Sequence, residues 1–443
     1  MTPCVVLVPG ILGSVLELNG EVIWPGSVLN VFITRYNKMD KLLDPATKAK
    51  DIIRKVFVFA QYQDLMQDLE RLGFHEAGPT PTLFACPYDW RRANEESAKT
   101  LADVIDRAAA LHADAEVTIL GHSMGGLVSR HYLESGRFTA RPGFAKVKSF
   151  ISLATPHIGA AKALGAVMGM EREAFLAPDQ VKVLADDARY PSAYQLLPPE
   201  GQPFAWNATV SSHFAPLNVF DAAVAGDLGL SAANLAAAKA FHQTLDPAKA
   251  PVPYFCFVGT RQTTISLVRV NRAASTPINR VVRDEREDAG DGTVPIWSAG
   301  LSGVQSLPVG GEHGTIYKND ELRRTLVTLL LGQSGLLAPT TMADVEVALR
   351  EKVVEPNQMV HAALSFLPRP VLDGELRFER AADDTGTVFT PVGAPLRVSY
   401  KGLTHEKLGV LFPAPNLRGA YRASFFLDGS ATPAGTDEFF VQS

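Results

Sequence analysis

The sequence predicts an α/β protein with a mostly parallel central sheet, a helical cap inserted into it and a small β domain after it. Three observations carry this prediction. Short apolar runs end in glycine or proline turns, helical stretches lie between them, and beyond residue 335 the pattern changes to two-residue alternation.

The apolar runs are Val5 to Val8 before Pro9-Gly10, Val117 to Leu120 before Gly121, Phe150 to Ala154 before Thr155-Pro156, and Tyr254 to Val258 before Gly259. Continuous runs of this length fit strands covered on both faces, as in a parallel sheet. Tyr62 to Leu72 and Asn94 to Leu111 place apolar residues at spacings of three and four, the period of a helix with one buried face. Two stretches interrupt the alternation. Residues 27–55 mix Val28-Leu29, Val31-Phe32-Ile33 and Leu42-Leu43 with lysines, and residues 160–250 are alanine-rich and broken by Pro178, Pro191, Pro198-Pro199 and Pro203. Long insertions of this kind serve as lids or caps, the plain alternative being a decorative helical insertion.

At 443 residues the chain exceeds the roughly 250–300 residues that one core supports. Leu322 to Leu331 reads as a closing helix, and Gly332-Gln333-Ser334-Gly335 begins a linker. The expected plan is a larger unit over 1–335, with a lid segment at 27–55 and a cap at 160–250, followed by a linker and β-sandwich-like unit over 336–443. Leu376-Phe378, Leu396-Val398-Tyr400, Leu408 to Phe412, Tyr421 to Leu427 and Phe439 to Val441 are its candidate strands.

Charged residues make up 20% and hydrophobic ones 46%, with 35 Gly and 30 Pro, which suits a turn-rich globular protein. A net charge of −5 without a long basic run excludes nucleic acid as an expected partner. Cys4, Cys86 and Cys256 sit in apolar strand-like runs without metal-ligand spacing and read as buried free thiols; no metal or cofactor is expected. Met1-Thr2-Pro3 leads straight into a strand, and no window reaches the roughly 18 apolar residues of a membrane span. Cytoplasmic residence is the expectation, with signal-independent export left open.

Gly121-His122-Ser123-Met124-Gly125-Gly126 fits Gly-x-Ser-x-Gly between a strand and the helix Leu127 to Leu133. A turn this tight strains the serine and requires small residues two positions away, here Gly121 and Gly125, and it should lift Ser123 into the solvent. Serine needs a base within reach and an acid to hold that base in one tautomer. Asp291 in Gly290-Asp291-Gly292-Thr293-Val294-Pro295 and His313 in Gly310-Gly311-Glu312-His313-Gly314 follow in the order serine, acid, histidine. This points to an α/β-hydrolase fold. His122 reads as a brace for the elbow, His157 precedes the acid, His213 and His242 lie in the cap, and His361 lies in the tail. Asp284, Asp288 and Glu312 compete with Asp291 less well, lacking its glycine-bounded turn. An oxyanion needs backbone N–H donors: Met124, at the head of its helix, and Ile11, in Pro9-Gly10-Ile11-Leu12-Gly13-Ser14, are chosen.

With these residues in place the chain resembles the lecithin:cholesterol acyltransferase family, which includes lysosomal phospholipases and phospholipid:diacylglycerol acyltransferases. The likeness covers about residues 4–331 and rests on Val-Pro-Gly-Ile-Leu-Gly-Ser at 8–14, Trp24-Pro25, Pro87-Tyr88-Asp89-Trp90-Arg91, the Ser123 motif, Thr155-Pro156-His157-Ile158-Gly159, Gly290 to Pro295 and Glu312-His313-Gly314. The resemblance implies a lipid acyl-ester substrate and a covalent acyl-enzyme passed to water or an alcohol; the sequence leaves transient contact with a membrane surface open. It also suggests Asp89 and Arg91 as an internal ion pair supporting the active-site floor. Phe32, Phe175, Leu196 and Leu197 are candidates for an apolar groove wall, each equally readable as core. The rival readings are a small-ester carboxylesterase and an idle scaffold acting through its tail, whose partner the sequence does not name.

Overall fold

The computed structural model describes residues 1–26, 35–56, 59–60, 62–208, 215–272, 274, 281–332, 345–349, 351, 353–382 and 388–442. The chain divides into two compact units, one of Met1–Gly26, Lys38–Ile53 and Gln61–Gly335, the other of Ser27–Asn37, Arg54–Ala60 and Leu336–Ser443.

In the first unit six strands, β1 (Thr2–Val8), β2 (Leu83–Ala85), β3 (Ala115–His122), β4 (Val147–Leu153), β5 (Tyr254–Thr260) and β6 (Gln305–Gly310), form an all-parallel sheet in the order β6-β5-β4-β3-β1-β2. Val5 to Val8 and Val117 to Leu120 are almost wholly excluded from solvent, which accounts for their apolar character, and the one polar side chain among them, Thr118, is hydrogen-bonded to Ser149. The register matters more than the order. Val8 lies opposite Gly121, His122 opposite Leu153 and Thr260 opposite Gly310, so the loops after β1, β3, β5 and β6 all leave the same carboxyl edge. Strand order reverses between β1 and β3, and at such a switch point an α/β sheet opens a crevice.

Helices α1 (Gln63–Arg71), α2 (Asn94–Leu111) and α3 (Met124–Glu134) connect the sheet. Along α2, Ala98, Leu101, Ala102, Ile105 and Ala108 recur at intervals of three and four and are buried. The cap contains α4 (Lys162–Val167), α5 (Pro178–Asp186), α6 (Ala222–Leu228) and α7 (Ala232–His242) around Leu164, Tyr194, Leu197, Leu228 and Leu235. A hairpin of Gln262–Val270 and Val281–Gly290 adds Ile265, Val268, Val270 and Val281 to that core. The last helix, α8 (Asp320–Leu331), begins under the Asn319 side chain, which accepts from the N–H groups of Glu321 and Leu322.

Of the expected lid segment, residues 27–34, Phe32 among them, lie outside the described residues. Its Lys48–Ile52 part pairs antiparallel with Ser14–Leu18, the strand directly after the Pro9 to Gly13 loop. Among the described residues no helix is long and apolar enough to cross a membrane. Cys4, Cys86 and Cys256 are buried and unpaired.

The second unit is a β domain. Its strands from Val345 onward are joined by hydrogen bonds into one seven-stranded sheet, because Met359–Ala381 is long enough to serve several neighbours, while Lys55–Val56 and Phe59–Ala60 pair with each other. Its first part pairs with Val345–Leu349, its second with Gly419–Leu427, and Leu396–Pro413 follows both. The pairing with Leu396–Pro413 shifts register on either side of Arg369, and the inward residues Leu349, Leu364, Leu376, Phe425 and Phe439 share one core.

His122, His131 and His157 of the first unit are buried. Burial holds the imidazole of His122 down to about 3 and that of His131 down to about 4, and puts His157 well below its ordinary value. These rings stay neutral in the folded protein while the unfolded chain takes up protons below about pH 6.5, so acid favours unfolding. Each ring contributes up to about 1.4 kcal/mol per pH unit within that window. The urea midpoint is expected to fall between pH 6.5 and 4.5, less steeply in His131→Phe; an identical slope in that variant counts against the account.

Candidate active site

Ser123 stands between β3 and α3 with φ 53° and ψ −128°, a conformation costing a non-glycine residue about 1–3 kcal/mol. Its neighbours hold it there: its N–H donates to Leu153 O at 2.9 Å and its carbonyl accepts from Gly126 N at 3.0 Å. The requirement for glycine is steric. A Cβ on Gly125 would stand 2.3 Å from Val8 O and 2.4 Å from Pro9 O, both backbone atoms that cannot yield. Gly10 is under the same constraint from the other side, since its Cβ would meet that of Ser123 at 2.9 Å. The elbow does not lift Ser123 into solvent as the motif alone suggests. The residue is 6% exposed, flanked by the Gly10 turn and the His313 ring.

His313 Nε2 lies 2.8 Å from Ser123 Oγ, and His313 Nδ1 lies 2.8 Å from Asp291 Oδ2. Asp291 is fully buried; its other oxygen accepts from Thr293 N at 3.0 Å and Val294 N at 2.7 Å. Gly292, at φ 91°, makes that turn, and Gly259 leaves room for the aspartate, whose Cβ lies 2.5 Å from where a Cβ on Gly259 would stand. The His313 N–H donates to Asp291 O at 2.9 Å, so main chain and side chain are tied to the same aspartate. Because Asp291 accepts at Nδ1, Nε2 carries the lone pair that faces the serine.

The Pro9 to Ser14 loop is held by aromatic side chains: Tyr88 Oη donates to Pro9 O at 2.7 Å, Trp24 Nε1 to Leu12 O at 2.9 Å and Trp90 Nε1 to Ser14 O at 3.2 Å. Gly10 N donates to Tyr62 Oη at 2.8 Å, and Gly13 N to Gly10 O at 3.1 Å. Among the described residues nothing accepts from the N–H of Ile11, Leu12 or Met124. Two of these three are the donors the sequence selects; Leu12, at φ 63°, was not distinguished from its neighbours by any motif.

The other histidines are engaged elsewhere. His157 Nε2 lies 3.0 Å from Ser152 Oγ, His242 Nε2 2.8 Å from Leu197 O, and His361 pairs with Glu351 on the tail, while His213 lies outside the described residues. Asp284 pairs with Arg286. Leu197 is core, Leu196 packs beside it, and Phe175 lies against Trp24 with ring centroids 5.7 Å apart.

Asp89 and Arg91 form a bidentate pair in which the guanidinium is buried and the carboxylate half-buried, Arg91 Nε at 2.8 Å from Oδ1 and Nη2 at 2.7 Å from Oδ2. What the guanidinium supports is the 42–47 stretch: it donates to the carbonyls of Leu42, Asp44 and Thr47, and it lies 4.5 Å from the centre of the Tyr190 ring. The floor beneath Ser123 is instead the glycine contact described above.

Residues 49–228 match the family model described as lecithin:cholesterol acyltransferase. The matched stretch includes Asp89, Arg91, the Ser123 elbow and much of the cap, and it ends before Asp291 and His313. No curated protein matches the sequence. Among solved structures, the mature lipase BlEst2 of Bacillus licheniformis is 14% identical over 74% of this chain and 92% of its own, with a TM-score of 0.37. The lin2722 product of Listeria innocua is 9% identical over 75% and 95%, at 0.32. Phospholipase PlaB of Legionella pneumophila, solved with thio-NAD, is 10% identical over 99% and 89%, at 0.25. At these values the architecture rests on the sheet order and register themselves.

Two outcomes check this geometry. Gly125→Ala forces the Val8 and Pro9 carbonyls away from the elbow and is expected to cost about 3 kcal/mol in urea unfolding. Arg91→Met leaves the carbonyls at 42–47 without their donor and Asp89 with Arg92 as its remaining cation, at a cost of about 3 kcal/mol, and limited proteolysis should reach 42–47 sooner; Arg91→Lys should restore little, having no planar fork.

Proposed function

We propose that the protein is a serine hydrolase of lipid acyl esters in which Ser123 is the nucleophile, His313 the base and Asp291 the acid that orients it. The observation that carries this is the continuous chain from Ser123 Oγ through His313 to Asp291, set beside unpartnered N–H groups at Ile11 and Met124. The lipid part of the reading is supported by the family match over residues 49–228.

In this mechanism Ser123 Oγ attacks the ester carbonyl as His313 Nε2 takes its proton, and the tetrahedral oxyanion receives hydrogen bonds from Ile11 and Met124. The N-terminal end of α3 adds its positive dipole at the same place. Collapse expels the alcohol, which takes the proton from His313, and leaves an acyl-Ser123 ester. Water then attacks, His313 again acting as base, and the fatty acid departs. Asp291 stays ionised and steadies the imidazolium formed in both steps. An acceptor alcohol in place of water gives acyl transfer, the second reading, which the family match favours equally.

A fluorophosphonate probe should label the native protein and not Ser123→Ala, which should also lose ester turnover by at least about a thousandfold. Absence of serine-dependent labelling ends this reading. With an acyl-labelled phospholipid and added alcohol, free fatty acid marks hydrolysis and a new acyl ester marks transfer.

A further inference from the structure

Tyr62, the residue before α1, belongs to no motif, yet it touches both the loop after β1 and the end of β3 beside Ser123. Its hydroxyl accepts from Gly10 N at 2.8 Å and lies 2.8 Å from His122 Nδ1, and it is 1% exposed. On the far side of that imidazole, His122 Nε2 lies 2.9 Å from the carbonyl oxygen of His313.

The directions of these bonds can be worked out. A carbonyl oxygen only accepts, so Nε2 of His122 must carry a proton and donate to His313 O. The neutral ring then has a lone pair at Nδ1, which accepts from Tyr62 Oη, whose own oxygen receives the Gly10 N–H. The alternative with both nitrogens protonated leaves the Tyr62 proton without an acceptor, in a place where burial and the neighbouring His313 already disfavour charge on His122. The result is one directed chain, Gly10 N–H to Tyr62 O–H to His122, and His122 Nε2–H to the His313 carbonyl.

We propose that Tyr62 is a positioning residue which, through His122, fixes the oxyanion loop and the base histidine relative to one another; this rests on the serine-hydrolase reading. The mechanical argument is local. Gly10 is fixed at its N–H by Tyr62 and at its carbonyl by Gly13, and in a trans peptide the Ile11 N–H points opposite to the Gly10 carbonyl. Holding Gly10 at both ends therefore aims the Ile11 donor. At the other end, His313 is held by its N–H on Asp291 O and by its carbonyl on His122, which leaves the imidazole to swing only about its own side-chain bonds. Neither Tyr62 nor His122 reaches the reacting atoms.

The test uses Tyr62→Phe, His122→Gln and the double variant, with a p-nitrophenyl ester as substrate and a fluorophosphonate as probe. Tyr62→Phe keeps the ring and leaves the Gly10 N–H and His122 Nδ1 unpaired. His122→Gln keeps an N–H for the His313 carbonyl and loses the acceptor for Tyr62. Each is expected to lower kcat about 10- to 100-fold with KM within about twofold of native, and to slow probe labelling in proportion. Because both act through one chain, the double variant should be no slower than the slower single. A kcat within about twofold of native in both singles, a loss confined to KM, or independent multiplying effects would overturn the proposal. If Tyr62→Phe does not fold, His122→Gln carries the same expectations for kcat, KM and labelling. Failure of the native protein to label at Ser123 is a different result: it removes the hydrolase reading, and this proposal with it.

Discussion

The geometry around Ser123 depends on two backbone turns passing at the closest distance atoms permit. The loop after β1 and the turn after β3 leave adjacent parallel strands at the same level, and they meet where Gly10 and Gly125 have no side chains to keep them apart. From that contact follow the position of Ser123, the placement of Ile11 beside it and the start of α3 behind it. The strain at Ser123 is sustained because the loop after β1 is held from outside by Tyr88, Trp24 and Trp90, while Tyr62 bonds both to that loop and to His122 beside Ser123.

Parallel register does the rest of the assembly. Gly259, at the end of β5, admits Asp291, and the loop beyond β6 returns His313 to the same edge, so residues almost two hundred positions apart come within one hydrogen bond. No single loop is required to be long or complicated. Each contributes one or two groups, and the sheet supplies the alignment, which is why sites of this type sit at the carboxyl ends of strands.

Legibility in the sequence follows the range of the interactions. The Ser123 turn was readable because its constraint is local, glycines two residues to either side. Asp291 and His313 were readable from their order and glycine-bounded loops, and α2 from its buried period. The exposure of Ser123 was misjudged, because what covers it comes from the β1 loop and the His313 loop, far away in sequence. Tyr62 carries no local mark at all. The Gln262 to Gly290 hairpin escaped notice because Arg283 to Asp288 are charged and their strand shows no alternation, its buried contribution coming from Val281 and from the partner strand. Arg91 stood in a readable block, but the carbonyls of Leu42, Asp44 and Thr47 that it holds are backbone groups, on which sequence is silent.

The site contains two imidazoles whose centres are 5.1 Å apart, His122 and His313, and serine chemistry requires that only one of them compete for the hydroxyl proton. Proximity alone would not choose between them. The choice is made by valence: His122 has its one lone pair and its one proton both committed, to Tyr62 and to the His313 carbonyl. His313 has its proton committed to Asp291 and its lone pair open toward Ser123. The two rings are chemically the same and differ only in what has already been spoken for, so in the proposed mechanism the role of base falls to His313 because the other candidate is saturated.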